Sequence, residues 1–158
     1  MPKNPGKRFE EDFSKSLNCF FLRLKDAAGW GTSANIRFTS SNICDFIIYA
    51  GGGTIFLAEL KSTDKASKAY TDREHVQLNN LLKEKNPYVY KCHIINFRKF
   101  HKTYILSAEC VFRCLQTRSS VPSDYCADHG LLIPQKIKKV RFKYFIENVL
   151  KEIDNAGF

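Results

Sequence analysis

The sequence predicts an α/β fold in which a mixed central sheet is flanked by helices, and three observations lead there. Apolar residues recur at spacings of three and four through residues 8–24, the period of a helix with one buried face. Two apolar, β-branched stretches at 43–50 and 54–61 are joined by Gly51, Gly52 and Gly53, the pattern of a buried hairpin. A polar stretch and a second helical pattern, at about 72–85, then lead into strand-like residues 88–97 and 103–106, an alternation that suits a sheet with helices on its faces.

Each element has its own signal. In the first helix Phe9, Phe13, Leu17, Phe20, Phe21 and Leu24 form the apolar stripe, with Glu10, Glu11, Asp12, Lys15 and Ser16 between them. Residues 25–35 carry small and turn-forming side chains and read as a loop, and 36–38 as a short strand. The three glycines accept the positive φ angles of a tight connection. Thr71 and Glu74 have capping-box spacing, so a helix starts at 72; Leu78, Leu81 and Leu82 face inward, and Asn86 and Pro87 stop it. The strands 88–97 and 103–106 flank a basic turn, RKFHK, and Ser107 caps a short helix over 108–116. Residues 117–135, with two prolines and Gly130, read as irregular. A last helix over 141–154 places Phe142, Phe145, Ile146, Val149, Leu150 and Ile153 on one stripe. Neither an internal repeat nor a domain boundary interrupts the 158 residues, so the expectation is one domain, with a core over about 4–111 and residues 112–158 packed on it.

Composition narrows the class. Apolar residues make up 44% and charged residues 26%, and no stretch approaches the roughly 18 apolar residues of a membrane span. The first residues lack the apolar core of a signal peptide, so a cytoplasmic location is expected, with reduced thiols at the six cysteines. Cys110, Cys114, Cys126 and His129 admit two readings: a four-ligand zinc site, or a buried helix stripe with one loop cysteine. The net charge of +9 favours a polyanionic partner. Its cations are spread over Lys3, Lys7 and Arg8, over Arg98, Lys99 and Lys102, and over the run Lys136, Lys138, Lys139, Arg141 and Lys143.

The hairpin carries three charges among apolar neighbours, where an unpaired charge costs several kcal/mol. Alternation sets Glu59 and Lys61 on one face of the second strand. If the glycines form a three-residue loop, Asp45 falls directly across from Glu59, with Cβ atoms about 4.5–5.5 Å apart. Facing carboxylates repel, and Mg²⁺ or Mn²⁺ between them resolves the repulsion while keeping positions for water and a phosphate oxygen. Lys61, one pleat on, then orients or deprotonates water, or stabilises charge on the phosphate. The other reading gives each carboxylate a local Lys or Arg partner near a strand end.

The order Asp45, thirteen residues, then Glu59-Leu60-Lys61 resembles the PD-(D/E)XK nuclease superfamily, and within it the RecU-like Holliday junction resolvases with their phage-borne relatives. The resemblance runs from Asn4 to about Val111 through GKRFEEDF, CDFIIY, GGTIFLAELKST, REHVQLNNLL and IINFRKFHKTYILSAE. It implies Asp45 and Glu59 as metal ligands, Lys61 as the catalytic lysine, and Glu10 as the first-helix glutamate, with Glu11 its rival. Gln77 matches the glutamine that supports the lysine or a water, against the alternative of an ordinary exposed helix Gln. Lys7, Arg8, Lys25, Trp30, Arg37, Lys65, Lys68 and Arg73 are the expected DNA contacts.

The chain departs from the family in two places. Cys44 replaces the proline before the first Asp, and the basic stalk inserted after the first helix in bacterial RecU proteins is shortened to KDAAGWGTSANIRFTSSN. The resemblance implies a metal-dependent endonuclease that resolves four-way DNA junctions as a homodimer, in a bacterial cell or a phage-infected host. The alternatives are another DNA nuclease of the same superfamily, of restriction or repair type, and a non-catalytic nucleic-acid-binding module.

Overall fold

The computed structural model describes residues 3–24 and 42–157. In chain order the elements are α1 (Pro5–Ser16), β1 (Phe20–Arg23), β2 (Phe46–Tyr49), β3 (Ile55–Thr63), β4 (Ser67–Ala69), α2 (Asp72–Leu81), β5 (Val89–Phe97) and β6 (Lys102–Ser107). They continue with α3 (Ala108–Leu115), β7 (Ser120–Pro122), α4 (Ser123–His129), β8 (Leu131–Ile133), β9 (Gln135–Lys138), β10 (Arg141–Tyr144) and α5 (Glu147–Ala156). Six strands form the central sheet in the order β1-β2-β3-β5-β6-β8. The sheet is mixed: β3 and β5 run parallel, as the crossover through α2 requires, and every other pair is antiparallel.

The alternation of β3 and β5 sorts the core into two layers. Phe56, Ala58, Leu60, Cys92 and Ile94 point to one face, where Phe9 and Phe13 of α1 and Val149, Leu150 and Ile153 of α5 cover them. Leu57, Ile95 and Phe97 point to the other, under Leu78 and Leu81 of α2 and Val111 and Cys114 of α3. Both caps expected from the sequence are formed: Thr71 and Glu74 make the reciprocal capping box, and the Ser107 hydroxyl accepts from Cys110 N–H.

Several element boundaries differ from expectation. The first helix ends at Ser16, and Phe20, Phe21 and Leu22 belong to β1, which pairs with β2 through Phe20↔Tyr49 and Arg23↔Phe46. Residues 20–24 fit the helical stripe by spacing, but aromatic residues also favour strands, and a free partner edge on β2 decides the matter. The second helix closes at Leu81, short of 85. Residues 117–135 hold β7, α4 and β8 rather than an irregular stretch, with Val121, Cys126 and Ile133 fully buried. The last predicted helix is divided: β10 takes Arg141–Tyr144, and α5 starts only at Glu147. The short strand expected at 36–38 lies outside the described residues.

The pair β9–β10 is a separate antiparallel ribbon docked against α1. Its outer strand finds its partners on the helix. Phe142 N–H donates to Asp12 Oδ2 at 3.2 Å and Tyr144 N–H to Ser16 Oγ at 2.9 Å. One helical turn therefore matches two strand residues. Asp12 is 3% exposed and also accepts from Arg141 Nε. Asp12→Ala should cost about 2–3 kcal/mol, because it leaves an N–H and a guanidinium without their acceptor. A fall in the urea midpoint at unchanged slope checks this.

Candidate active site

The hairpin register decides where its charges meet. β2 and β3 pair from Tyr49↔Ile55 to Phe46↔Ala58, and the next step outward sets Asp45 across from Glu59. The connection works through backbone that only glycine adopts freely: Gly51 and Gly53 both have φ of +91°. Asp45 N–H donates to Ala58 O, and Asp45 Oδ2 accepts from Leu60 N–H at 2.7 Å, so the carboxylate is tied to the strand that carries Glu59 and Lys61.

Neighbouring elements complete a cleft of about 330 Å³ lined by Glu10, Asp45, Glu59, Lys61, Thr71, Arg73, Glu74 and Gln77. Lys61 Nζ is the hub: it lies 2.7 Å from Glu59 Oε1, 3.4 Å from Glu74 Oε1 and 3.4 Å from Gln77 Oε1. Glu74 and Gln77 reach it together because they stand three residues apart on one face of α2. Glu10 enters the cleft from α1 and is held by Arg23 at 2.7 Å. Glu11 instead faces the ribbon, pairing with Lys3 and Arg141.

Electrostatics mark the spot as one of concentrated negative charge. Burial, then the Glu59 charge, pushes the Asp45 carboxyl up to about 7. Glu59 is also raised, first by burial and against the pull of Lys61. Burial disfavours the Lys61 charge, but the carboxylates of Glu59, Glu74 and Asp45 outweigh it and hold the ammonium above its ordinary value. Burial, then the carboxylates of Glu59 and Asp45, pushes the Cys44 thiol to about 12, so it stays protonated.

Among the described residues no group of three or more His, Cys, Asp or Glu side chains is arranged as a metal cage. The donor chemistry nonetheless fits a hard divalent cation. Glu59 is buried and Asp45 half-buried, two oxygen donors that repel one another, and the cations that neutralise the cluster are the Lys61 and Arg23 side chains. A metal ion would take over that neutralisation once Glu59 and Glu10 turn from those partners.

The expected DNA contacts are scattered. Arg73 lines the cleft, while Lys7 and Lys65 are exposed. Lys68 is committed to Glu74 at 3.0 Å, and Arg8 donates to Val140 O. Lys25, Trp30 and Arg37 lie outside the described residues. The zinc arrangement is not formed among the described residues. All six cysteines are free, Cys114 and Cys126 are buried with Val111 and Val121, and His129 packs on the Tyr125 ring at 4.2 Å.

Three site neighbours escape the sequence reading. Arg23 belongs to a strand that reads as helix, and Glu74 is visible there only as a cap. His93, directly across from Glu59 in the parallel pair, looks like one more strand residue. It is 1% exposed, shares a 2.8 Å hydrogen bond between Nδ1 and the Tyr70 hydroxyl, and leaves Nε2 without a partner among the described residues. Burial, then Lys61, lowers it to about 3 and keeps it neutral.

No helix among the described residues is long and apolar enough to cross a membrane. No family model and no curated protein matches the chain. Among solved structures it is similar to Hjc of Archaeoglobus fulgidus, a Holliday junction resolvase from an archaeal hyperthermophile, at 12% sequence identity and a TM-score of 0.51. The match covers 80% of this chain and 89% of that one. With its six-stranded mixed sheet between helices, the chain has an α/β fold of the PD-(D/E)XK nuclease type.

Proposed function

We propose that the chain is a metal-dependent, structure-selective DNA endonuclease that resolves four-way junctions by hydrolysing phosphodiesters, in the manner of the RecU-like resolvases its motifs resemble. The observation that carries this reading is the convergence of Asp45, Glu59, Lys61 and Gln77 in one cleft, on a fold similar to that of a junction resolvase.

Asp45, Glu59 and Glu10 would hold Mg²⁺ or Mn²⁺, which when bound supplies charge neutralisation and a more acidic water. The chain's own groups do the rest. Leu60 N–H fixes one oxygen of Asp45 and leaves the other for the ion. Lys61, with its proton held firmly, acts as an electrostatic partner for charge building on the phosphate rather than as a base. Gln77 and Glu74 aim the ammonium. Arg73 at the rim, with Lys7 and Lys65, binds flanking phosphates by a salt-sensitive term without base specificity. In sequence, Lys25, Trp30 and Arg37 belong to the shortened counterpart of the family's junction-entering insertion, and they would supply part of the junction contact. Residues 1–158 act as one nuclease domain in the cytoplasm of a bacterial or phage-infected cell. Symmetric cutting of two strands needs two sites, so the working form is a homodimer.

Cleavage of end-labelled four-way junction, fork and linear duplex by wild type and Asp45→Ala, each with Mg²⁺ and with EDTA, tests the reading. Paired symmetric nicks confined to the junction are expected, dependent on metal and reduced about 10³-fold or more in the variant. Equal cutting of linear duplex would leave a nuclease of another kind, and no cutting of any substrate would remove the catalytic reading.

A further inference from the structure

The densest cationic run in the sequence forms neither a helix nor part of the cleft. It is the ribbon β9–β10, where the register pairs Lys136 with Lys143 and Lys138 with Arg141, so four cations stand on one face. Ile137, Phe142 and Tyr144 fall on the other, over a cavity of about 520 Å³ that also includes Arg8, Phe9 and Asn96. Lys139 continues the positive row at the turn, with φ of +60°.

Like charges directly opposite one another destabilise a strand pair. Among the described residues this is relieved at one position only, where Arg141 meets Asp12 and Glu11. Lys136, Lys138, Lys139 and Lys143 are exposed, and none forms an ion pair with a carboxylate among the described residues. The ribbon is nevertheless fixed at its base. Asp12 and Ser16 hold its outer edge, Gln135 accepts from Thr103 at 2.6 Å, and His101 stacks on Phe142 at 5.8 Å. A rigid, outward-facing row of uncompensated lysines is a surface that awaits a polyanion.

We infer that β9–β10 is a second DNA-binding element, whose lysine face grips the phosphates of a duplex arm beyond the cut site. This rests on the DNA reading proposed above. Alternate residues of a strand are about 6.6 Å apart, a step similar to that between successive phosphates of one strand, so a lysine row tracks a backbone without reading bases. The ribbon is tied through Asp12 to the helix that carries Glu10. Those two residues lie about 200° apart around α1, so the ribbon stands about one helix diameter, roughly 10–12 Å, from the cleft. An arm leaving the cleft reaches it within a few base pairs.

The test is DNA binding in EDTA across a salt titration, with labelled linear duplex and four-way junction. Wild type is compared with the triple variant Lys136→Gln, Lys138→Gln, Lys143→Gln and with a charge-matched control, Lys83→Gln, Lys85→Gln, Lys151→Gln, at exposed positions elsewhere. The ribbon variant should bind at least about tenfold more weakly, and its slope of log Kd against log salt should fall by about 2–3, near 0.9 for each phosphate that the chain no longer neutralises. The control should change Kd less than about threefold. If the two variants behave alike while wild type binds and cuts, the ribbon is not an interface and the nuclease reading stands. If the ribbon variant loses binding but wild type cuts nothing, the interface stands and the catalytic reading falls. Failure of wild type to bind either DNA overturns both.

Discussion

Asp45→Asn is expected to stabilise the metal-free chain above neutral pH while it abolishes cleavage. The folded chain raises this carboxyl from 3.8 to about 7, through burial first and the facing Glu59 second. Between those values the folded chain keeps a proton that the unfolded chain has released. Stability therefore falls as pH rises from about 4 to about 7 and stays low beyond. A shift of that size has a ceiling of about 4 kcal/mol, and access of water to the open cleft brings the expected gain to about 2 kcal/mol. Asparagine removes the charge yet can still accept from Leu60 N–H. Its melting temperature should exceed that of wild type by about 4–8 °C near pH 8 without metal, and the gain should vanish below pH 4. Added Mg²⁺ should raise the wild type and leave the variant almost unmoved, since only the wild type offers both carboxylates. A variant less stable than wild type at pH 8 would mean that Asp45 is already well paired, removing the physical reason for a metal there.

The same carboxylate shows why part of this site is legible in sequence. Strand alternation places Asp45 and Glu59 across from one another once the glycine connection is counted as three residues, and the register agrees with that count. The capping box at Thr71 and Glu74 is equally readable, since it depends on residues three apart. Interactions between distant segments are not. Arg23 reaches Glu10 only because residues 20–23 leave the helix to pair with β2. The strand β10 reads as helix because Phe142, Phe145 and Ile146 satisfy a period of 3.6, while Arg141, Phe142, Lys143 and Tyr144 satisfy a period of 2; the Asp12 and Ser16 contacts select the second. The short elements between 120 and 133 have little intrinsic preference, and burial of Val121, Cys126 and Ile133 holds them in place.

His93 should make its presence felt through pH, in the direction opposite to Asp45. Its folded value of about 3 lies below the ordinary 6.5, from burial and then the charge of Lys61. As pH falls below 6.5 the unfolded chain takes up a proton that the folded chain refuses, so stability is lost on the way down to about 3, with a ceiling of about 5 kcal/mol. Asp45 gains stability over nearly the same window, while the raised Glu59 and the lowered Glu74 pull in opposite directions, so the wild type should be almost flat between about pH 4 and pH 6.5. Removing either group should tilt the profile. Asp45→Asn should lose stability on acidification by about 1 kcal/mol per pH unit, and the double variant His93→Leu, Tyr70→Phe should gain about as much. Replacing both members of the hydrogen-bonded pair leaves no orphaned hydroxyl, so the double variant should still fold near neutral pH. Urea midpoints across the window separate the outcomes. If the double variant keeps the wild-type profile, His93 titrates alike in the folded and unfolded chains, and burial does not hold it neutral. Opposite tilts in the two variants, restored to flatness when they are combined, would establish that a neutral buried histidine behind Glu59 offsets the proton demand of the facing carboxylates.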